Sequence, residues 1–130
     1  MRSFTILAIW LVAVLTVTTS SARAEARLLM IEEKWCEWCE RWNDEIGVVY
    51  DKTVEGKQAR LLRADIHEPL PAGIDLAGRP RYTPTFILLD DGREVGRIEG
   101  YPGEDFFWPM LQQLLDRLPA KNTGAKVVVN

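Results

Sequence analysis

The segment KWCEWCE, residues 34–40, contains both cysteines of this 130-residue chain, Cys36 and Cys39. Two thiols at C-x-x-C spacing can form a redox couple, supply half of a metal site or make a small structural staple. A bridge across two intervening residues closes a very short loop, so the loop-entropy model gives it little stabilising power. A chain of this length also buries an adequate core without staples. The redox and metal interpretations therefore remain open.

A metal site at these cysteines needs more ligands than the sequence supplies. Structural zinc usually takes four Cys or His ligands, and the chain adds only His67, which we expect to be a surface or loop-packing residue. A c-type haem requires His directly after the second cysteine, where the chain has Glu40. Thiolates bind soft metals, so a thiol-based copper carrier stays open as the alternative function. We assign no metal ligand and no cofactor.

The residues around the cysteines predict a buried strand followed by a helix. Residues 28–31 form a short apolar run, typical of a strand that is buried on both faces. The following residues predict a helix that ends at Gly56, and we expect its apolar stripe to be core packing: Trp38, Trp42, Ile46, Val49 and Thr53. Cys36 then lies at a helix start, where free N–H groups and the helix dipole favour a thiolate, the reactive form.

This position predicts a two-step exchange. The Cys36 thiolate attacks a disulfide of a partner protein, and Cys39 then attacks Cys36 and releases the reduced partner. Glu37 opposes the thiolate, whereas the helix terminus and Lys34 favour it, and these effects nearly cancel. We therefore expect a weakly oxidising disulfide, tuned by Lys34, Glu37 and Trp38.

The rest of the sequence predicts a mixed sheet. A second strand at residues 59–66 is followed by a long loop, with at best a short helix at 74–77. Strands at 85–89 and 94–99 are joined by an Asp-Gly turn. A last helix follows at 103–118, and Pro109 should kink it or delay its start. Strands joined through a helix require a parallel crossover, and the hairpin adds an antiparallel pair. We predict an α/β fold with a mixed central sheet and helices on both faces.

Pro84 precedes the third predicted strand. Proline has no backbone N–H, so a strand start is one of the few places in a sheet where it fits. It also permits a cis Thr83–Pro84 bond, which would hold the Thr83 backbone open beside Cys36 to pair with an incoming peptide strand. Both interpretations stand at this point.

Residues 1–24 have the layout of a secretory signal peptide. Arg2 is followed by an apolar run of 14 residues at 4–17 and by an Ala-Arg-Ala site at 22–24. The run is shorter than the ~20 residues of a spanning helix. We therefore predict cleavage after residue 24, with no membrane span left in the mature chain.

The mature chain is predicted to be an acidic, exported domain. We place the domain at residues 25–118 and a loose tail at 119–130, in which VVV at 127–129 could add an edge strand. Removing the signal lowers the formal charge from −3 to about −5. No basic patch is evident, so we expect no nucleic-acid partner. Export also places the two cysteines in an oxidising compartment, where a disulfide can persist.

Three segments resemble the thioredoxin superfamily: WCEWC at 35–39, YTPTF at 82–86 and DDGREVGRIEGY at 90–101. The resemblance covers residues 28–118 and implies a thioredoxin-like fold with thiol–disulfide oxidoreductase activity.

The resemblance also implies a role for each matching residue. Cys36 would be the nucleophile, Cys39 the resolving thiol and Pro84 the cis-proline. For substrate binding, Trp35 would flank the exposed sulfur and Thr83 would supply backbone to the substrate.

Residues 31–53 and 81–108 further resemble the exported thioredoxins of bacterial sulfur-oxidation (Sox) systems. That subgroup implies a periplasmic reductase that keeps a Sox-system cysteine usable and is recharged by a membrane thiol electron donor.

The sequence departs from the common thioredoxin pattern in two places. Glu37 and Trp38 replace the common Gly-Pro, and Met30 replaces the buried acid that often accepts the proton of the second cysteine.

Overall fold

The computed structural model describes residues 25–120 and contains a four-stranded sheet in the order β2-β1-β3-β4. The strands are β1 (Ala26–Glu32), β2 (Arg60–Asp65), β3 (Thr85–Asp90) and β4 (Arg93–Glu99). β1 pairs in parallel with β2 and antiparallel with β3, which pairs antiparallel with β4. The predicted mixed sheet is confirmed. Within the described residues, β2 has a hydrogen-bonded neighbour on one side only. The predicted signal peptide and the VVV segment lie outside the described residues.

The helical segments are α1 (Glu37–Trp42), a π-helical turn (Asn43–Gly47), α2 (Val48–Tyr50), α3 (Val54–Gln58) and α4 (Glu104–Leu115). α4 is continuous through Pro109, so the proline does not delay its start. None of these helices, which all lie within residues 25–120, combines the length and apolar character needed to cross a membrane.

The predicted helix after the cysteines does not end at Gly56. The helix breaks after Tyr50, and Thr53 begins α3 by accepting a hydrogen bond from the Gly56 N–H at 3.0 Å. Gly56 lies inside α3, where a Cβ atom would come within 1.9 Å of the Tyr50 carbonyl oxygen. The glycine therefore serves a close packing contact between two helical segments.

The helical core residues all pack on one face of the sheet. Phe107 of α4 lies at the centre, with its ring 4.9 Å from Phe86 and 5.8 Å from Trp42 between ring centroids. Two residues predicted for this core stripe are instead exposed, Trp38 and Val49. Trp38 occupies the first turn of α1 beside the cysteines. Val49 follows the π-helical turn, whose extra residue rotates the chain and buries the next side chain, that of Tyr50.

The second face of the sheet is covered by a loop. Its buried strand residues are Leu29, Ile31, Ile87 and Leu89, and residues 66–76 of the loop pack on them through Ile66, Ile74 and Leu76. Within residues 25–120, this loop takes the place of the helices that were predicted for the second face, because its prolines and glycines oppose helix formation.

The short helix predicted at residues 74–77 is not formed either. Asp75 instead makes an isolated bridge to Arg93. Its N–H donates to the Gly92 carbonyl at 2.8 Å, and its carbonyl accepts from the Glu94 N–H at 3.0 Å. The loop is therefore attached to the outer edge of β4.

The Glu94 side chain secures the same loop. Its carboxylate accepts hydrogen bonds from the Ala77 N–H at 2.8 Å and from two nitrogens of Arg97 at 2.6 and 2.7 Å. Arg97 also donates to the Gly78 carbonyl at 2.8 Å. The hydrogen bonds from Arg97 favour the ionised carboxylate and hold the pKa of Glu94 below its ordinary value of 4.5.

Replacing Glu94 with Gln should therefore change how stability depends on pH. Because the pKa of Glu94 is lower in the folded chain, its contribution is present above about pH 4.5 and is lost as the pH falls through the folded pKa. We expect Glu94→Gln to lower the free energy of unfolding by about 1–2 kcal/mol at neutral pH. Below about pH 4 the difference from wild type should shrink. Urea unfolding at both pH values measures it, and a constant difference would contradict the assignment.

Candidate redox site

Cys36 and Cys39 form a disulfide at the start of α1. Cys36 is the N-cap of that helix, with an extended backbone, and its Sγ atom accepts a hydrogen bond from the Cys39 N–H at 3.1 Å. The Cys36 carbonyl accepts from the N–H groups of Cys39 and Glu40, both at 3.1 Å. The structure therefore places the disulfide at a helix start, where the Cys39 N–H is directed at the Cys36 sulfur.

The disulfide lies at the margin of the core. Cys36 is 9% exposed and Cys39 is 3% exposed, and both belong to the core cluster under the helices. Cys36 is thus less exposed than the sequence implied, and its sulfur is bonded to that of Cys39. Trp35 beside it is 85% exposed and has a positive φ of 68°. The Lys34 Nζ atom lies 5.1 Å from the centre of the Trp35 ring.

The Thr83–Pro84 peptide bond is cis, which is the second of the two interpretations of Pro84. The pairing of Ile31 with Thr85 places this bond beside the end of β1. The Pro84 carbonyl accepts from the Gly100 N–H at 2.7 Å. Among the hydrogen bonds formed within residues 25–120, none uses the Thr83 N–H or carbonyl group. The backbone of Thr83 is therefore available to a partner chain.

A polar cluster that the sequence analysis missed joins this segment to the residues before the cysteines. The Thr83 hydroxyl donates to Glu33 Oε1 at 2.6 Å, and His67 Nε2 lies 3.0 Å from Glu33 Oε2. Hydrogen bonds from Thr83 and then His67 hold the pKa of Glu33 below its usual range. The three residues are far apart in sequence, and only the register of β1 and β3 could have indicated that Glu33 and Thr83 meet.

Met30 occupies the position at which many thioredoxins have a buried acid. Glu32, at the end of β1, and Glu33, which follows it, do not replace that acid. Met30 is fully buried. Glu33 is engaged by Thr83 and His67, and Glu32 accepts from Arg63 at 2.6 Å. The hydrogen bonds of both carboxylates thus go to residues other than Cys39.

A second polar chain runs from Trp38 of α1 to Tyr101, which follows β4. The Arg41 guanidinium carbon is 5.5 Å from the centre of the half-exposed Trp38 ring. Arg41 Nε donates to Glu45 at 2.9 Å, and the Tyr101 hydroxyl donates to the same carboxylate at 2.6 Å. These hydrogen bonds, first that of Tyr101, lower the pKa of Glu45. Burial and this contact raise the pKa of Tyr101. Trp38 is thereby linked to the segment after β4.

The other residues predicted to tune the redox potential flank Cys36 in sequence. Lys34 and Glu37 are both exposed. Their effect on the thiolate stays a prediction, since both act through solvent-exposed charge. Within residues 25–120, no group of three or more His, Cys, Asp or Glu side chains is arranged to hold a metal ion. The copper-carrier alternative gains no support beyond the two thiols.

No protein-family model and no curated protein matches the chain. The periplasmic thioredoxin SoxS from Paracoccus pantotrophus, solved in its reduced form, is 49% identical with a TM-score of 0.70, over 72% of this chain and 98% of that chain. Thioredoxin-2, a component of malaria parasite protein secretion machinery, is 20% identical with a TM-score of 0.52, over 69% of this chain and 84% of that chain. A DsbH oxidoreductase is 16% identical with a TM-score of 0.52, over 72% of this chain and 74% of that chain.

The two distant structures show the thioredoxin-like fold alone, whereas the similarity to SoxS extends to sequence over nearly all of that protein. The predicted fold is thus confirmed, and the Cys36–Cys39 disulfide lies at its helix start. The chain belongs to the thioredoxin superfamily and is a thiol–disulfide oxidoreductase.

Proposed function

We propose that this protein is a periplasmic reductase of protein disulfides or of cysteine–sulfur adducts. One observation carries the proposal: the Cys36–Cys39 pair forms a disulfide at a helix start, and the Thr83 side chain bonds to Glu33, three residues before Cys36, while its backbone bonds to no residue within 25–120. The first feature supplies the chemistry, and the second supplies a place for a polypeptide substrate.

The reaction starts from the reduced pair. The Cys36 thiolate attacks one sulfur of the partner's disulfide, the partner's S–S bond breaks, and its second sulfur leaves as a thiolate that takes up a proton. Cys39 then loses its proton and attacks Cys36 Sγ, which releases the partner's first sulfur as a second thiolate, also protonated by solvent. Two electrons pass to the partner, and the product is the Cys36–Cys39 disulfide seen in the structure.

The N–H group that points at the sulfur assists the first step. In the oxidised form the Cys39 N–H donates to Cys36 Sγ at 3.1 Å. The same donor favours a thiolate on Cys36 once the disulfide is reduced, since hydrogen bonds to an anion stabilise it.

The substrate binds as an extended strand. The free N–H and carbonyl of Thr83 can pair with the backbone of a peptide, as an added strand does at a sheet edge. The exposed Trp35 ring, next to Cys36 in sequence, offers apolar surface to the partner. The strand pairing cannot continue through the Pro84 nitrogen, because proline has no N–H group to donate.

The net direction is reduction of the partner. The exposed Glu37 offsets much of the help that Lys34 and the helix start give to the thiolate. A thiolate that is weakly stabilised corresponds to a less oxidising disulfide. Trp38, which lies between the two cysteines in sequence, completes the set of tuning residues.

The reduction potential tests this direction. We expect a reduction potential close to that of thioredoxin, about −270 mV, and well below that of a dedicated oxidant, about −120 mV. Equilibration of the purified protein with glutathione buffers, read by thiol alkylation, gives the value. A potential above about −150 mV would contradict the role as a reductase.

The similarity to SoxS, a periplasmic thioredoxin, supports the proposed location. We propose that the chain works in the periplasm after export, and that its substrate is a disulfide-bearing or sulfur-modified cysteine of a sulfur-oxidation protein. A membrane thiol electron donor would then reduce the Cys36–Cys39 disulfide and close the cycle.

A further inference from the structure

Glu33 connects the segment that leads to the disulfide with the segment that carries Thr83. It follows β1 and lies three residues before Cys36, yet both of its carboxylate oxygens are occupied by residues from elsewhere in the chain. Oε1 accepts from the Thr83 hydroxyl at 2.6 Å, and Oε2 contacts His67 Nε2 at 3.0 Å. Contacts at both oxygens restrict the carboxylate, and its hydrogen bond from the hydroxyl orients the Thr83 side chain.

We propose that Glu33 is a positioning residue that fixes Thr83 for strand pairing with a polypeptide substrate. The inference rests on the proposed function and deepens it, because it names how the substrate-binding backbone is held. Glu33 itself touches neither the sulfurs nor the substrate in this account.

The Thr83 backbone depends on the Thr83 side chain for its polar attachment to the rest of the chain. Within residues 25–120 this residue has no backbone hydrogen bond of its own, so its side-chain bond to Glu33 is the polar contact that orients it. A hydrogen bond to a charged acceptor is stronger than one between neutral groups. A peptide that pairs with Thr83 gains from a backbone that is already in position, since less freedom is lost on binding. A small disulfide without peptide groups gains nothing from it.

His67 gives the arrangement its second support. The His67 side chain is exposed, but its backbone is restricted, because the His67 N–H donates to the Asp65 carboxylate at 2.8 Å. The imidazole therefore approaches Glu33 from a segment that is itself anchored at the end of β2. Removing His67 should weaken the hold on Glu33 without removing the bond to Thr83.

The test compares two substrates with the full-length mature protein. One is a disulfide-linked peptide long enough to pair with Thr83, and the other is 2-hydroxyethyl disulfide, which has no peptide group. We expect Glu33→Ala to lower kcat/KM for the peptide about tenfold, chiefly through KM, because a charge-assisted hydrogen bond is lost. For the small disulfide we expect a change of less than about twofold.

Two conservative variants separate positioning from general damage. Glu33→Gln keeps an oxygen that accepts from Thr83 and an amide that can donate to His67, so we expect it to retain most of the peptide activity. Thr83→Ser keeps the hydroxyl and should lose less peptide activity than Thr83→Val, which should resemble Glu33→Ala.

Glu32→Ala is the matched control. It removes a neighbouring carboxylate of the same charge, which pairs with Arg63 at 2.6 Å and not with Thr83. We expect it to leave the ratio of peptide to small-disulfide activity unchanged. The inference is overturned if Glu33→Ala lowers both activities alike or neither, if Glu33→Gln is as impaired as Glu33→Ala, or if Glu32→Ala shifts the ratio as much. A wild-type protein that reduces neither substrate would instead overturn the proposed function.

Discussion

Cys39→Ser is expected to accumulate as a covalent complex with its partner and to lose at least about 1,000-fold in turnover. The first step needs only the Cys36 thiolate at the helix start, so the mixed disulfide still forms. The second step needs the Cys39 sulfur, which is bonded to Cys36 in the oxidised structure and is therefore within reach of the mixed disulfide. Without that sulfur the partner stays attached.

The complex can be isolated from periplasmic extracts after rapid acid quenching and separated by non-reducing electrophoresis. Mass spectrometry then identifies the partner and the cysteine that is joined to Cys36. Cys36→Ser is the matched control, because it removes one sulfur from the same pair and should trap nothing. Complexes formed equally by both variants, or by neither, would contradict the assignment of Cys36 as nucleophile and Cys39 as resolving thiol.

Phe107→Ala is expected to cause the largest loss of stability. Phe107 is fully buried and its ring contacts those of Phe86, Trp42 and Tyr101. Truncating such a ring removes apolar contacts and leaves a cavity, which costs about 3–5 kcal/mol. For a domain of this size each kcal/mol lowers Tm by about 4–8 °C. Thermal unfolding followed by circular dichroism should therefore show a fall of about 15 °C or more.

The neighbouring residue provides the control. Phe106 is 65% exposed and lies on the same helix, so Phe106→Ala makes the same chemical change at almost the same place. We expect that variant to change the free energy of unfolding by no more than about 0.5 kcal/mol. Similar losses in the two variants would show that α4 does not pack as described.

Elements that depend on neighbouring residues could be predicted from the sequence. The apolar run before Cys36 indicated β1, and the Asp91–Gly92 turn indicated the hairpin of β3 and β4. Both turn residues have positive φ, 49° and 78°, as a two-residue hairpin turn requires. The cysteines were placed at a helix start by the same local logic, because strand and helix patterns meet at that point.

Features that depend on distant contacts could not be predicted. Thr83 and Glu33 are 50 residues apart, and His67 and Glu33 are 34 apart, so their meeting depends on the strand register and on the path of a loop. The π-helical turn at Asn43–Gly47 leaves Trp42 and Ile46 at ordinary α-helical spacing. The apolar pattern therefore did not reveal the extra residue that buries Tyr50 instead of Val49.

Within residues 25–120, one side of β2 has no strand beside it, and this bears on how neighbouring molecules behave. An unpaired strand edge can add a strand from another copy, which begins aggregation. β2 is six residues long and carries charge at Arg60, Arg63 and Asp65. Short length and charged side chains both oppose such growth between copies. The strand that completes this small sheet thus also helps to keep neighbouring molecules apart.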